Sequence, residues 1–387
     1  VPLTRHQRRT GHIEGGYVHA LDPGLYDWVC VLDFKSMYPS IIIDRNLCFT
    51  TLSNDGEIKT PHGVRFQTSE VRRGLLPELL EGLMVERDSA KQAEAAATGD
   101  EKEHYRRVQE AIKILMNSVY GVFASYFYRF TNLDIGASIT AYAREAVRDI
   151  IAELESEELA VIYGDTDSVF FGSPHDNKAE TVAFGEAIAA RYSGGARQLE
   201  FEKILHPFFS HGAKKRYVGQ QVWPSESLVV RGYETRRSDA FPAQVEALQE
   251  LFARLMEGST KAAREAARDW VNRIAQGSIE PKELVITKTV NLGRKYKNPK
   301  AMAHLQAHKK FIATGRPFVS GMKVAFIVTD ASRTPMVVEP FFPGEDPPQP
   351  DQEYYARRLA KSLARITEVF GWDERALRTG GRQSRLF

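Results

Sequence analysis

The chain has 387 residues, 43% of them hydrophobic and 26% charged, as expected of a globular, multi-domain protein able to bury two or three cores. A formal charge of +2 does not by itself announce a nucleic-acid partner, although the charges are uneven, with an acidic ELESEE run at 153–158 and basic clusters at 214–216, 236–237 and 294–300. No apolar stretch is long enough to span a bilayer, no signal-peptide pattern is present, and with only Cys30 and Cys48 a disulfide is not expected, which points to a cytoplasmic setting.

The first thirty residues are polar and Gly-rich. VCVLDF then supplies a buried strand ending at Asp33, and YPSIII continues apolar beyond a Pro that forces a break, so Asp33 is expected at a strand-to-turn junction. From Pro77 a helical pattern runs through LPELLEGLMVERDSAKQAEAAA, stops at Thr98-Gly99-Asp100 and restarts from Glu101 through KILMNSVYG, predicting two antiparallel helices joined by a tight turn. A further helix, IGASITAYAREAVRDIIAELE, leads into the strand LAVIY, the turn Gly164-Asp165-Thr166-Asp167 and the return strand SVFFG, a β-hairpin with acids at its tip. LEFEKIL and KKRYVGQQV look like another strand pair, and residues after about 230 read as mostly helical, with Pro/Gly-rich interruptions near 281 and 343–350. The expected class is α+β: a small mixed sheet interrupted by a helical hairpin, then a helix-rich C-terminal domain.

A carboxylate at a strand end, beside a hairpin that offers two more, is what a pair of Mg²⁺ ions needs for phosphoryl transfer. Hard cations want oxygen ligands and must keep room for substrate phosphates. Asp33, Asp165 and Asp167 are therefore the candidate metal ligands of a nucleotidyl transferase.

DFKSMYPSII, KILMNSVYG and YGDTDS, in this order and with a helical hairpin between the first two, resemble the three polymerase motifs of the family B DNA polymerases. The bacterial polymerase II branch is the nearest likeness, and the similarity extends to GGYVHALDPGLYDWV, KKRY, RGYETRRSDAFP and the final TGGRQSRLF. The resemblance implies a right-hand fold: a palm of mixed or antiparallel sheet (residues 1–68 and 123–230), helical-hairpin fingers (69–122) and a mostly helical thumb (231–387). It implies Asp33 and Asp167 as bridging ligands of two Mg²⁺ ions, or Mn²⁺ in their place, with the Phe34 carbonyl in range and Asp165 as a supporting ligand.

The turn carrying Phe34, Lys35, Ser36, Met37 and Tyr38 would hold the triphosphate on exposed N–H groups as a nest does. Tyr38 would be the sugar gate that excludes a 2′-hydroxyl. Lys113, Asn117 and Tyr120 fall at i, i+4 and i+7 on one helix face, and Arg87 with Lys91 share a face of the other helix. These cations would meet the triphosphate and the leaving pyrophosphate, with Lys113 a candidate proton donor. Asn117, Tyr120 and Gly121 would form the floor under the nascent base pair.

Primer–template DNA and a dNTP are the implied partners. Gly15, Gly16, Lys214, Lys215, Arg216, Tyr217, Arg231, Arg236 and Arg237 would contact DNA, with Arg294, Lys295 and Lys297 continuing the groove. The tail residues Gln383, Leu386 and Phe387 resemble a sliding-clamp peptide, with Ser384 where that peptide often has Leu. Ile13 stands before Gly15-Gly16 where the family often has Tyr. Ahead of the first polymerase motif no Asp-x-Glu exonuclease motif is found, so proofreading is expected to reside elsewhere, for instance on a separate polypeptide. Two rivals remain at this point: a metal-dependent glycosyltransferase using Asp-x-Asp, and a non-catalytic remnant that bridges clamp and DNA.

Overall fold

The structure, a computed structural model, describes residues 3–8, 11–20, 23–194, 198–233 and 239–379. The chain divides into two compact units, one of residues 1–21, 26–206 and 221–227, the other of residues 22–25, 207–220 and 228–387.

In chain order the elements up to residue 210 are β1 (Val18–Ala20), β2 (Gly24–Tyr26), β3 (Val29–Phe34), α1 (Met37–Asp44), a small hairpin of β4 (Ile58–Lys59) and β5 (Arg65–Phe66), α2 (Leu75–Ala96), α3 (Gly99–Ala124), α4 (Leu133–Ser156), β6 (Val161–Asp165), β7 (Ser168–Gly172), α5 (Lys178–Tyr192) and β8 (Leu199–Ser210). In the first unit the strands lie in the order β1-β6-β7-β3-β8, and β3, an interior strand, is antiparallel to both neighbours. A strand paired on both edges tolerates an unbroken apolar run, and Val29 through Leu32 are fully buried. One face of this sheet is covered by Ala143, Val147, Ile150 and Leu154 of α4 and by Ile188 of α5. A second core joins α1, α2, α3 and α4 through Ile42, Leu80, Met116, Phe123 and Ile139.

The helical hairpin forms where periodicity placed it, with Gly99 at φ 58° starting α3 after the turn. Pro39 departs from expectation. It breaks nothing, because it falls in the first turn of α1, where its missing N–H has no intrahelical acceptor to lose.

The second unit contains β9 (Tyr217–Trp223, to Gln220), β10 (Ser227–Arg231, from Leu228), α6 (Pro242–Met256), α7 (Thr260–Ala275), β11 (Ile286–Thr289), α8 (Ala303–Ala313), β12 (Lys323–Asp330), β13 (Val337–Pro340), α9 (Gln352–Thr367) and α10 (Glu374–Thr379). The helix-rich expectation missed the antiparallel sheet β11-β12-β13. That sheet packs Ile286, Phe326 and Val338 into one core with Leu251 and Phe252 of α6, Trp270 of α7 and Leu359 of α9. Among the described residues no helix is long and apolar enough to cross a membrane.

Candidate active site

Alternation along neighbouring strands decides which side chains meet. In β3, Cys30, Leu32 and Phe34 enter the helix-covered core, which leaves Asp33 on the opposite face of the sheet. In β8, Leu199 and Phe201 pack on that same core, so Glu200 and Glu202 share the side of Asp33, and Glu200 is paired with Asp33 in register. The two glutamates were not singled out from sequence, yet the alternation in LEFEKIL is a readable signal of a strand with one acidic face.

The acidic hairpin turns later than expected. Asp165 is the last residue of β6, in register with Ser168 and Val18, and the turn is Thr166-Asp167, with Thr166 at φ 63°. Asp167 donates its N–H to the Asp165 carbonyl at 2.6 Å, and Thr166 donates its N–H to Tyr17 at 2.9 Å. The Thr166 hydroxyl donates to the Asp165 carboxylate at 3.2 Å. Across the sheet, the Phe34 N–H donates to the Asp167 carbonyl at 2.8 Å, which brings Asp33 and Asp167 to one sheet end.

The electrostatics follow from that proximity. The Asp33 carboxyl is pushed up to about 7, first by burial and then by the negative charges of Asp167 and Glu202; Lys113 opposes the rise and Glu200 adds to it. Asp33 and Asp167 are the residues that would hold a divalent ion, whose charge would offset the repulsion and burial at Asp33. Among the described residues no group of three or more His, Cys, Asp or Glu side chains forms a metal cluster. Mg²⁺ is commonly held by one or two carboxylates plus waters and substrate phosphates, so a pair suffices.

The turn after β3 is only partly the nest that was expected. The N–H groups of Phe34 and Lys35 are already bonded to Asp167 and Gln198, both at 2.8 Å, because the sheet continues to pair through them. Lys35 directs its ammonium to Asp88 at 3.2 Å, and Met37 is buried in the core. Ser36 is left-handed (φ 51°, ψ 50°), a conformation that costs a non-glycine residue about 1–2 kcal/mol and recurs at functional sites. Its Oγ accepts from Arg87 at 3.3 Å.

Arg87 is only 8% exposed, and its Nε is buried without a hydrogen-bond partner. An orphaned guanidinium donor in a polar cavity is suited to an anionic ligand. Lys91 sits 4.0 Å from Glu200. The rings of Tyr38 and Tyr120 are 4.6 Å apart and tilted by 42°. The Tyr38 hydroxyl is pushed up to about 12, by burial first and then by Tyr120 and Asp167. Asp33, Asp167 and Glu200 from the sheet, Ser36 and Tyr38 from the turn and α1, and Arg87, Lys113, Asn117 and Tyr120 from the helical hairpin all line one cavity of about 290 Å³. Asp165, Lys91 and Gly121 do not line it, though a Cβ at Gly121 would meet only open space. A larger cavity of about 790 Å³, lined by Asp44, Arg45, Tyr142 and Asp149, shares Phe34, Lys35 and Met37 with it but contains neither Asp33 nor Asp167.

Gly16 packs against this hairpin, whereas Gly15 is held by Arg144 of α4. A Cβ on Gly16 would lie 2.7 Å from the Thr166 methyl, so the glycine permits close packing against the acidic turn. Arg144, unremarked in the sequence, donates to the carbonyls of Glu14 and Gly15 at 2.8 and 3.0 Å.

In the second unit, Lys214 and Lys215 are exposed in the turn between β8 and β9 rather than on a strand, with Lys215 at φ 61°. Tyr217 is a buried core ring 5.5 Å from Phe208. A Cβ on Gly232 would collide with the Lys215 carbonyl, which holds this turn tight. Arg231, Arg294, Lys295 and Lys297 are exposed. Arg236, Arg237, Gln383, Leu386 and Phe387 lie outside the described residues.

The profile of DNA polymerase family B matches residues 1–370. The DNA polymerase delta catalytic subunit of Caenorhabditis elegans is 31% identical over 391 residues, covering 90% of this chain and 35% of that protein. A DNA polymerase of Pyrococcus glycovorans is 30% identical over 383 residues, covering 94% of this chain and 48% of its own. The structure of the family B DNA polymerase from Pyrobaculum calidifontis superposes with a TM-score of 0.69 over 95% of this chain and 48% of its own, at 24% identity, a likeness of fold. The chain thus spans between about a third and a half of the length of these relatives.

Proposed function

The chain belongs to DNA polymerase family B, and we propose that it extends a primer 3′-hydroxyl on a DNA template with deoxynucleoside triphosphates, residues 1–68 and 123–230 serving as palm, 69–122 as fingers and 231–387 as thumb. One observation carries the reading: a single cavity lined by Asp33 and Asp167 from the sheet and by Arg87 and Lys113 from the helical hairpin. When bound, two Mg²⁺ ions, or Mn²⁺ in their place, would neutralise the triphosphate and activate the attacking 3′-oxygen.

Asp33 and Asp167 hold the divalent charge at a fixed sheet end. Arg87, buried and with an unsatisfied Nε, binds the triphosphate. Lys113 faces the leaving pyrophosphate, where its positive charge matches the charge that develops and its proton can pass to the departing oxygen. Tyr38 and Tyr120, in ring contact, form a floor that packs under the sugar and base and leaves no room for a 2′-hydroxyl. Lys214, Lys215 and Arg216 would track duplex phosphates without reading sequence. The sliding-clamp proposal rests on the tail sequence alone.

Primer extension on a recessed template tests the reading. Wild-type protein with Mg²⁺ should add the complementary dNTP, and Asp167→Asn should not; equal extension by both refutes the assignment of this cavity.

A further inference from the structure

The turn that carries Asp167 is strained and is held from outside. Thr166 has φ 63°, a left-handed conformation that costs a non-glycine residue about 1–2 kcal/mol and persists only where the surroundings fix it. Residues 16–18 provide those surroundings. The Thr166 N–H donates to the Tyr17 carbonyl at 2.9 Å, a Cβ on Gly16 would lie 2.7 Å from the Thr166 methyl, and Val18 is in register with Asp165. Yet residues 11–17 have no regular secondary structure and include Gly11, Gly15 and Gly16, the residue type with most conformational freedom to lose. A backing of this kind needs a rigid element to hold it.

That element is α4. Arg144 donates from Nη1 to the carbonyls of Glu14 at 2.8 Å and Gly15 at 3.0 Å, and its Nη2 lies 3.3 Å from the Glu14 carboxylate. One turn further on, the Arg148 guanidinium sits 4.9 Å from the centre of the Tyr17 ring. The two arginines are i, i+4 on one helix face, and α4 is fixed in the core by Ala143, Val147, Ile150 and Leu154. The Arg144 side chain is only 14% exposed, so its bonds to the two carbonyls are shielded from competing water. A planar fork reaches two carbonyls and a carboxylate at once, which a compact ammonium does not.

We propose that Arg144 is a positioning residue for Asp167: it clamps residues 14–17 to α4, with Arg148 on the Tyr17 ring, and the clamped segment keeps Thr166 in the conformation that presents Asp167 to the cavity. The inference rests on the polymerase reading and deepens it, since Arg144 does not line the cavity and acts through the main chain. The rival is a role by charge alone. Burial raises the hydroxyls of Tyr38 and Tyr120, and the Arg144 charge opposes the rise at both, so its guanidinium also acts on the floor of the cavity. Lysine separates the two, because it keeps the charge and loses the fork.

The test uses the full chain without DNA. Mn²⁺ binding is read from the electron paramagnetic resonance signal of the free ion, counting only what wild type binds in excess of Asp167→Asn. Arg144→Gln should bind this Mn²⁺ about tenfold to a hundredfold more weakly, the usual cost of losing an outer support of a metal ligand. The Mg²⁺ midpoint of single-turnover primer extension should rise by a similar factor. Arg144→Lys should share both defects, and it carries the same expectation if Arg144→Gln does not fold. Wild-type Mn²⁺ binding by either variant would overturn the clamp, full rescue by lysine leaving charge as the operative property. A wild type that binds Mn²⁺ through Asp167 but extends no primer would strike the polymerase reading, while the clamp would still stand or fall on the Mn²⁺ affinities.

Discussion

The Phe34 N–H and the Asp167 carbonyl meet at 2.8 Å, so the two carboxylate-bearing strand ends are joined by main chain rather than by the acids themselves. The spacing of Asp33 and Asp167 therefore survives removal of either side chain. Substitutions at these acids should report on charge, with the scaffold left in place.

Asp33 gives the clearest pH dependence. Its carboxyl is raised to about 7 in the folded, metal-free chain, well above an unfolded aspartate. The native state thus binds more protons than the unfolded state through this window, and the contribution of Asp33 to stability, complete below about pH 4, is lost as pH rises through 7. In chelator, Asp33→Asn should raise the melting temperature by several degrees at pH 8 and have little effect at pH 4. Added Mg²⁺ should stabilise the wild type more at pH 8 than at pH 6. Scanning fluorimetry measures both, and a variant with the wild-type melting curve at pH 8 would contradict the burial and repulsion inferred at Asp33.

Arg87 and Lys113 should separate kinetically. Arg87→Met removes a buried guanidinium with an orphaned Nε, so the protein should be at least as stable while KM for dNTP rises. Lys113→Ala removes charge that matters most as pyrophosphate leaves, so kcat should fall by about 100-fold. Single-turnover extension distinguishes the two, and identical changes in KM and kcat for both variants would remove the distinction between them.

Tyr38 packs its ring on Tyr120 at 4.6 Å. Tyr38→Ala should open the space under the sugar and raise ribonucleotide incorporation relative to dNTP by about 100-fold or more, whereas Tyr38→Phe should keep the wild-type preference. Unchanged discrimination in the alanine variant would move the sugar gate elsewhere.

Gly16 should be sensitive to a single methyl. Gly16→Ala places a Cβ 2.7 Å from the Thr166 methyl and should cost about 1–3 kcal/mol. Thr166→Ser in the same chain should return part of that stability, because the crowded methyl is gone. Thermal melting of the single and double variants decides it; a fully tolerated Gly16→Ala would leave DNA contact as the reason for that glycine.

Much of the site was legible because its signals are local. The apolar run VCVLDF, the i, i+4, i+7 spacing of Lys113, Asn117 and Tyr120, and the order of the three motifs each lie within a few turns or a few residues, and helical and extended periods express themselves over that range. Membership of DNA polymerase family B was reachable from those motifs alone.

What the tertiary structure decided was every pairing of distant segments. Glu200 lies in register with Asp33 although 167 positions separate them in the numbering, and Arg144 reaches back to Gly15. In the sheet β11-β12-β13 only the pairing of β11 with β12 joins distant segments, with α8 between them; β12 and β13 are joined by residues 331–336, so this hairpin was a local signal that the helix-rich reading passed over. A residue's own sequence fixes which way its side chain alternates, but which surface it then faces depends on long-range packing, where β-propensity is contextual and the hydrogen-bond partner is supplied by another part of the chain.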